Sequence, residues 1–120
     1  MTGSVGYHAG LAAEDVVERD YLHRDCPVIA RRWRGAGGEI DLILRNCDGG
    51  GVIFVEVKKS KSFARASTRL GRRQMDRICA SASEFLAGEP KGQLTDVRFD
   101  LAMVDGAGQV QIIENAFMEA

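Results

Sequence analysis

The 120-residue chain has few of the features that mark membrane or exported proteins. No apolar run is longer than the four residues Val52–Val55, whereas a membrane-spanning helix needs about 20. The first ten residues, MTGSVGYHAG, lack both the basic start and the apolar stretch of a secretory signal. We therefore expect a cytoplasmic protein that has no membrane partner.

Cysteine is also scarce. Cys26, Cys47 and Cys79 are odd in number and widely spaced, and the chain has neither a CxxC motif nor a nearby histidine pair. A disulfide framework or a zinc site would need a tighter pattern. The sequence therefore predicts reduced thiols and no zinc, with Cys79 filling the buried face of a helix.

Net charge is nearly absent, at −1, but the charges are segregated. Residues 58–77 contain eight basic residues and one acidic residue, a net charge of +7, which leaves −8 on the other hundred. A smaller basic cluster, Arg31, Arg32 and Arg34, surrounds Trp33. Basic patches suit a polyanion such as nucleic acid, and the plain alternative is a solvated helix face.

Periodicity predicts one α/β domain over residues 1–120, in which residues 1–8 form a disordered tail and the element order is αβββαββ. Helices are expected from Leu11 to about His23 and from about Thr68 to Ala87. Strands are expected at 28–34, 39–45, 52–58, 97–104 and 109–114. These elements would form one central mixed sheet flanked by two helices.

A glycine-rich connection joins the second and third strands and predicts a hairpin. Because side chains alternate along a strand, one hairpin face is expected to carry an apolar set: Ile40, Leu42, Leu44, Ile53, Val55 and Val57. A turn centred between Asp48 and Gly49 pairs Leu42 with Val55 and Leu44 with Ile53. Registers shifted by two residues stay open.

The same register sets Asp41 opposite Glu56, and Glu39 opposite Lys58. Two facing carboxylates about 5 Å apart repel by roughly 3 kcal/mol at an effective dielectric constant of about 20. Exposure to water, a raised pKa on one acid, or a divalent cation would relieve that repulsion. Glu14 falls within the apolar arc of the first helix, which adds a third acid to consider.

Oxygen ligands without cysteine or histidine suit Mg²⁺ or Mn²⁺. Such an ion can stabilise the charge of phosphoryl transfer and lower the pKa of a bound water, while Lys58 orients the water or steadies the charge. With a basic segment directly after it, this pattern favours metal-assisted hydrolysis of a phosphodiester.

Asp41, followed on the next strand by Glu56-Val57-Lys58, resembles the PD-(D/E)xK nuclease superfamily, which has the restriction-endonuclease-like fold. A longer set of strings, spread over roughly residues 8–115, is similar to the small bacterial YraN-like family. The strings are GLAAE at 10–14, GEIDLI at 38–43, FVEVK at 54–58, RRQ at 72–74 and RFDLAMV at 98–104.

The resemblance implies a role for each matching residue. Asp41 and Glu56 match the metal-binding acids, and Lys58 matches the lysine assigned to water activation or charge stabilisation. Glu14 matches a first-helix glutamate that helps to hold the metal, and Gln74 matches a second-helix glutamine close to the site. Glu39 belongs to the motif, and an ion pair with Lys58 is the alternative explanation of its presence.

The resemblance further implies a Mg²⁺- or Mn²⁺-dependent nuclease that acts on nucleic acid, with DNA favoured over RNA. The residues expected to contact phosphates are Lys59, Lys61, Arg65, Arg69, Arg72, Arg73 and Arg77. Lys59-Ser60-Lys61 stands where relatives more often carry a Thr-Arg pair. A catalytically inactive nucleic-acid-binding module and a structural adaptor are the alternatives. Superfamily nucleases often act as dimers, so a homodimer stays open.

Overall fold

The computed structural model describes residues 2–59, 61 and 71–116, with side chains from residue 12 onward. In chain order the elements are α1 (Thr2–Leu22), β1 (Val28–Gly35), β2 (Gly38–Arg45), β3 (Val52–Lys59), α2 (Arg72–Leu86), a short 3₁₀ helix (Gly92–Leu94), β4 (Val97–Val104) and β5 (Val110–Ile113). Within the described residues this is the order αβββαββ that the sequence predicts, so the predicted α/β architecture, a mixed sheet flanked by helices, is confirmed.

The five strands form one mixed sheet in the order β1-β2-β3-β4-β5. Only the β3–β4 pair is parallel, and the other three pairs are antiparallel. A parallel pair requires a crossover connection, and α2 lies in that connection. Helices α1 and α2 pack on opposite faces of the sheet, and each covers its own cluster of apolar side chains.

The β2–β3 hairpin has the predicted register. Leu42 pairs with Val55 and Leu44 pairs with Ile53. Because directly opposed residues share a face, these four side chains lie together in the core beneath α1. The structure thus has the register of a turn centred between Asp48 and Gly49 and excludes the registers shifted by two residues.

Helix α1 covers one face of the sheet through Ala13, Val17 and Tyr21, which are spaced four residues apart and buried. It begins at Thr2, so the structure has helix within the segment that was expected to be a tail. The helical spacing also assigns Leu22, the last residue of the helix, to the apolar arc, but it is 56% exposed.

Helix α2 covers the other face, where a second apolar cluster is buried: Ile40, Ile43, Val52, Phe54, Ile78, Ala82 and Leu86. The prediction that Ile40 shares a face with Leu42 is therefore wrong. Ile40 and Ile43 face the same helix although they are an odd number of residues apart, so alternation is broken between them. Their partners on β1, Trp33 and Ala30, show the same break.

The prediction for Cys79 is also wrong, because this residue is exposed. Ser81 takes the buried position on α2 instead, and its hydroxyl donates to the Gly38 carbonyl over 2.8 Å. Cys26 is buried and Cys47 is exposed, and all three cysteines carry free thiols. Among the described residues, no helix is both long and apolar enough to span a membrane.

A buried polar network fastens α1 to β4. The Tyr21 hydroxyl donates to Asp100 over 2.7 Å, and Asp100 has no exposed surface. Arg98 donates to both oxygens of that carboxylate, and the Asn115 N–H donates to one of them. Burial and the Asp100 charge raise the pKa of Tyr21, so the phenol stays protonated and keeps donating. Arg98 and Asp100 of the RFDLAMV string therefore have a structural role, because they belong to the network that links α1 to β4.

Candidate active site

The candidate site lies where β2 and β3 separate. At this end of the hairpin Leu42 and Val55 form the last backbone pair. Further along β3, the Val57 N–H donates to Oδ2 of Asp41 over 2.8 Å. The Asp41 side chain thus takes the place of the next hydrogen bond of the ladder, and this contact fixes its carboxyl group between the two strands.

Asp41 and Glu56 meet at that point, and their carboxyl groups are in hydrogen-bond contact. Glu56 is only 8% exposed. Burial, and then the Glu56 charge, raise the pKa of Asp41 to about 7. Burial also raises the pKa of Glu56, against the opposing effect of the Lys58 charge. When no cation is bound, a proton shared between the two carboxyl groups would relieve the repulsion between them.

Lys58 and Gln74 complete the cluster around Glu56. The Gln74 amide nitrogen donates to Glu56 Oε2 over 2.5 Å, and Lys58 Nζ lies 3.4 Å from the same oxygen. Lys58 Nζ also donates to the Gln74 amide oxygen over 3.3 Å. Because Gln74 stands in the first turn of α2, the helix closes the site from the side that Glu56 and Lys58 face.

Glu14 reaches the same region from α1 but has a different partner. Its Oε1 accepts a 2.6 Å hydrogen bond from Arg32. Burial and repulsion by Asp41 raise the pKa of Glu14, while Arg32 acts in the opposite direction. In the part of the chain that the structure describes, no three or more Asp, Glu, His or Cys residues are grouped so that they could hold a metal ion. The three acids interact electrostatically, but they are not assembled as a ligand set.

Asp41 and Glu56 nevertheless suit a hard divalent cation. Their donors are carboxylate oxygens, which Mg²⁺ and Mn²⁺ prefer. Burial is the largest cause of their raised pKa values, followed for Asp41 by the Glu56 charge, so holding both carboxylates ionised without a bound cation is unfavourable. A cation bound by two protein carboxylates, with water in its other positions, is a usual arrangement for Mg²⁺. The residues present therefore fit such an ion with Asp41 and Glu56 as its core ligands.

The alternative explanation of Glu39, an ion pair with Lys58, does not match the structure. Glu39 is paired across the β1–β2 ladder with Arg34, and their side chains approach to 3.5 Å. Lys58 faces Glu56 instead. The prediction assumed that the β2–β3 ladder continues as far as Glu39, whereas it stops at Leu42.

The small basic cluster on β1 is also neutralised by acids. Arg31 donates to Glu18 at 2.5 Å, Arg32 to Glu14, and Arg34 lies close to Glu39. The first two pairs do not follow from the sequence, because the acids of α1 and the arginines of β1 are 13 and 18 residues apart. This cluster is therefore a set of ion pairs rather than an open surface for phosphates.

The larger basic segment is exposed where the structure describes it. Its described members beyond Lys58 are Lys59, Lys61, Arg72, Arg73 and Arg77. Arg65 and Arg69 lie outside the described residues. Arg77 lines an open cavity together with Gly37, Glu39 and Gln74, so this part of the basic surface adjoins the acid cluster.

Comparison with known sequences gives a family match over most of the chain. Residues 13–104 match the profile described as "Uncharacterised protein family UPF0102". A UPF0102 protein of Cereibacter sphaeroides (strain ATCC 17025) is 65% identical over 98% of each chain. A UPF0102 protein of Ruegeria pomeroyi is 57% identical over 96% of this chain and 92% of its own.

Comparison with solved structures gives a partial likeness. The crystal structure of a repair endonuclease from Pyrococcus abyssi aligns with a TM-score of 0.43 and 22% sequence identity. The alignment covers 74% of this chain but only 37% of that one, so it leaves most of the larger protein unmatched.

Proposed function

This chain belongs to the uncharacterised protein family UPF0102, the YraN-like family that its motifs indicate, and from that premise we propose that it is a metal-dependent nuclease. The reaction would be hydrolysis of phosphodiester bonds in nucleic acid, with DNA favoured as the substrate. The observation that carries the proposal is the contact of four polar side chains at one buried point: Asp41, Glu56, Lys58 and Gln74.

Stability alone does not account for this cluster. Two carboxyl groups in contact at a buried position cost free energy, as their raised pKa values express. Groups whose pKa values are shifted by burial together with a charged partner are concentrated at functional sites. The four residues come from β2, β3 and α2, so this unfavourable burial of charge occurs where three elements meet.

Asp41 and Glu56 are the residues that would hold Mg²⁺ or Mn²⁺. When bound, the ion would lower the pKa of a water molecule and offset the charge that develops on the phosphate. Lys58 carries a positive charge beside Glu56 and can orient the attacking water or stabilise that developing charge. Gln74 bonds to both Glu56 and Lys58 and so fixes their separation.

The charge distribution supports nucleic acid as the substrate. Lys59, Lys61 and the exposed arginines of α2 follow the acid cluster directly in the chain. Lysine and arginine bind phosphates without reading sequence, so this surface is suited to the backbone of a polynucleotide.

Cleavage assays test the proposal. We expect the wild-type protein with Mn²⁺ or Mg²⁺ to cleave at least one of branched, single-stranded or duplex DNA, or RNA. Lys58→Ala should lower the cleavage rate by about 10²-fold or more, because it removes the positive charge beside Glu56 that would orient the water or stabilise the developing charge. Lys91→Ala is a matched control at an exposed position far along the chain from the site. Equal cleavage by wild type and Lys58→Ala would refute the role of Lys58.

A second candidate is a nucleic-acid-binding module that retains the fold without catalysis. The arrangement of Glu14 favours it, because Arg32 holds this acid and no ready group of metal ligands exists among the described residues. This candidate predicts nucleic-acid binding that is independent of divalent ions. It is favoured if oligonucleotides bind while no substrate is cleaved with either metal.

A further inference from the structure

Arg32 has an unusual backbone conformation for its position. Its φ angle is 46°, in the left-handed region that side-chain-bearing residues seldom adopt, although it stands within β1. A residue held there costs on the order of 1–3 kcal/mol and persists only when its surroundings impose it. Arg32 also lies between Ala30 and Trp33, at the break in alternation noted above.

Because of this conformation, two consecutive arginines of β1 both contact α1. In a regular strand neighbouring side chains point to opposite faces. Here Arg31 donates to Glu18 and Arg32 donates to Glu14, and both acids belong to α1. The left-handed residue therefore brings a second guanidinium to the helix that carries Glu14.

The two ion pairs differ in what they do to the site. Arg31 and Glu18 are 50% and 26% exposed, so their pairing is a surface contact. The Glu14 side chain is only 14% exposed, and its charge acts on Glu56 while the Asp41 charge acts on it. Arg32 thus neutralises an acid of the candidate site, whereas Arg31 does not.

We propose that Arg32 is a positioning residue: it is hydrogen-bonded to Glu14 in the cation-free protein and releases Glu14 when a divalent cation binds. This rests on the proposed function: Glu14, which Asp41 repels and whose charge acts on Glu56, would join the two core ligands Asp41 and Glu56 once Arg32 releases it. A guanidinium and a divalent cation compete for the same carboxylate oxygens, and two positive centres beside one acid repel. Arg32 therefore lowers the affinity of the site for the cation.

Calorimetric titration of the full chain with Mn²⁺ tests the inference. Arg32→Asn removes the charge while keeping a residue that tolerates positive φ. We expect its Kd for Mn²⁺ to fall about fivefold, the equivalent of one partly buried ion pair. Arg31→Ala is the matched control, since it removes the same charge one residue away, and its Kd should stay within about twofold of wild type. Unchanged or weaker binding by Arg32→Asn would overturn the inference.

The same titration separates this inference from the proposed function. If the wild-type protein binds no Mn²⁺, both are wrong. If the wild type binds and Arg32→Asn binds equally well, only the role of Arg32 is wrong. A second measurement needs no variant: side-chain NMR of wild-type protein labelled at arginine, titrated with Mg²⁺. The guanidinium signals of Arg32 should shift as it leaves Glu14 while those of Arg31 stay in place, and unmoved Arg32 signals at saturation would contradict the inference.

Discussion

Asp41→Asn should stabilise the cation-free protein. Burial and the Glu56 charge raise the pKa of Asp41 to about 7 from an ordinary value of 3.8. Since one pKa unit corresponds to about 1.4 kcal/mol, keeping Asp41 ionised at pH 8 costs up to about 4 kcal/mol of folding free energy. Asparagine is neutral, and its amide can still accept from the Val57 N–H and donate to Glu56.

We expect about 2 kcal/mol of this cost to be recovered, because Asp41 and Glu56 share the penalty and their surroundings relax. For a chain of this length that corresponds to a rise in Tm of roughly 8 °C. The size of the stability gain of Asp41→Asn depends on pH. A raised folded-state pKa means that the favourable contribution of Asp41 is complete below its ordinary pKa and is lost as pH rises through about 7. The two proteins should therefore be equally stable near pH 4 and differ most at pH 8.

Thermal and urea unfolding at several pH values, with a chelator present, measure this difference. Asp48→Asn is a control, because the pKa of Asp48 is lowered in the folded protein whereas that of Asp41 is raised. The Gly50 and Gly51 N–H groups lower the pKa of Asp48, so its neutralisation should bring no gain at pH 8. An Asp41→Asn protein that is no more stable than wild type at pH 8 would refute the electrostatic strain attributed to the pair.

Three further outcomes are expected. Tyr21→Phe removes the 2.7 Å hydrogen bond to buried Asp100 and should lower the unfolding free energy by about 2 kcal/mol in urea titrations; a loss below about 0.5 kcal/mol would contradict the network's importance. Gly37→Ala puts a Cβ against the Arg77 backbone carbonyl, closer than van der Waals contact allows, and should destabilise by about 1–3 kcal/mol. Gly106→Ala, with open space around it, should not, and equal stability of the two variants would argue against close packing of the β1–β2 turn on α2. Oligonucleotide affinity, measured by fluorescence anisotropy, should fall steeply as the salt concentration rises. A salt-independent Kd would exclude phosphate contacts by the basic surface.

Local patterns in the sequence predicted the sheet and favoured the central register that the structure has. Alternating apolar residues and the glycine-rich turn determine which residues of β2 and β3 face each other, and Leu42 opposite Val55 is the result. The pairing is short-range, and a shift of one residue would exchange the side chains that face α1 with those that face α2. The closeness of Asp41 and Glu56 follows from the same register, because each is next in sequence to a residue of that pair.

Contacts between distant elements were not predictable in the same way. Arg32 and Glu14 meet because a left-handed residue turns a side chain toward α1, and no composition or spacing in a strand of arginines signals that conformation. The break in alternation that moves Ile40 to the other core was not predictable either, because apolar spacing alone assigns Ile40 to the face of Leu42. The network of Tyr21 and Asp100 joins residues 79 positions apart, which periodicity cannot relate.

The most direct test of the cation site is a calorimetric titration of wild-type protein and Asp41→Asn with Mn²⁺ at pH 8. We predict a saturable heat for one ion per chain in the wild type and its loss, or a weakening of at least about tenfold, in Asp41→Asn, because a core ligand has been neutralised. A wild-type protein that shows no saturable heat, or an Asp41→Asn variant that binds Mn²⁺ as tightly as the wild type, would contradict a cation held by Asp41 and Glu56.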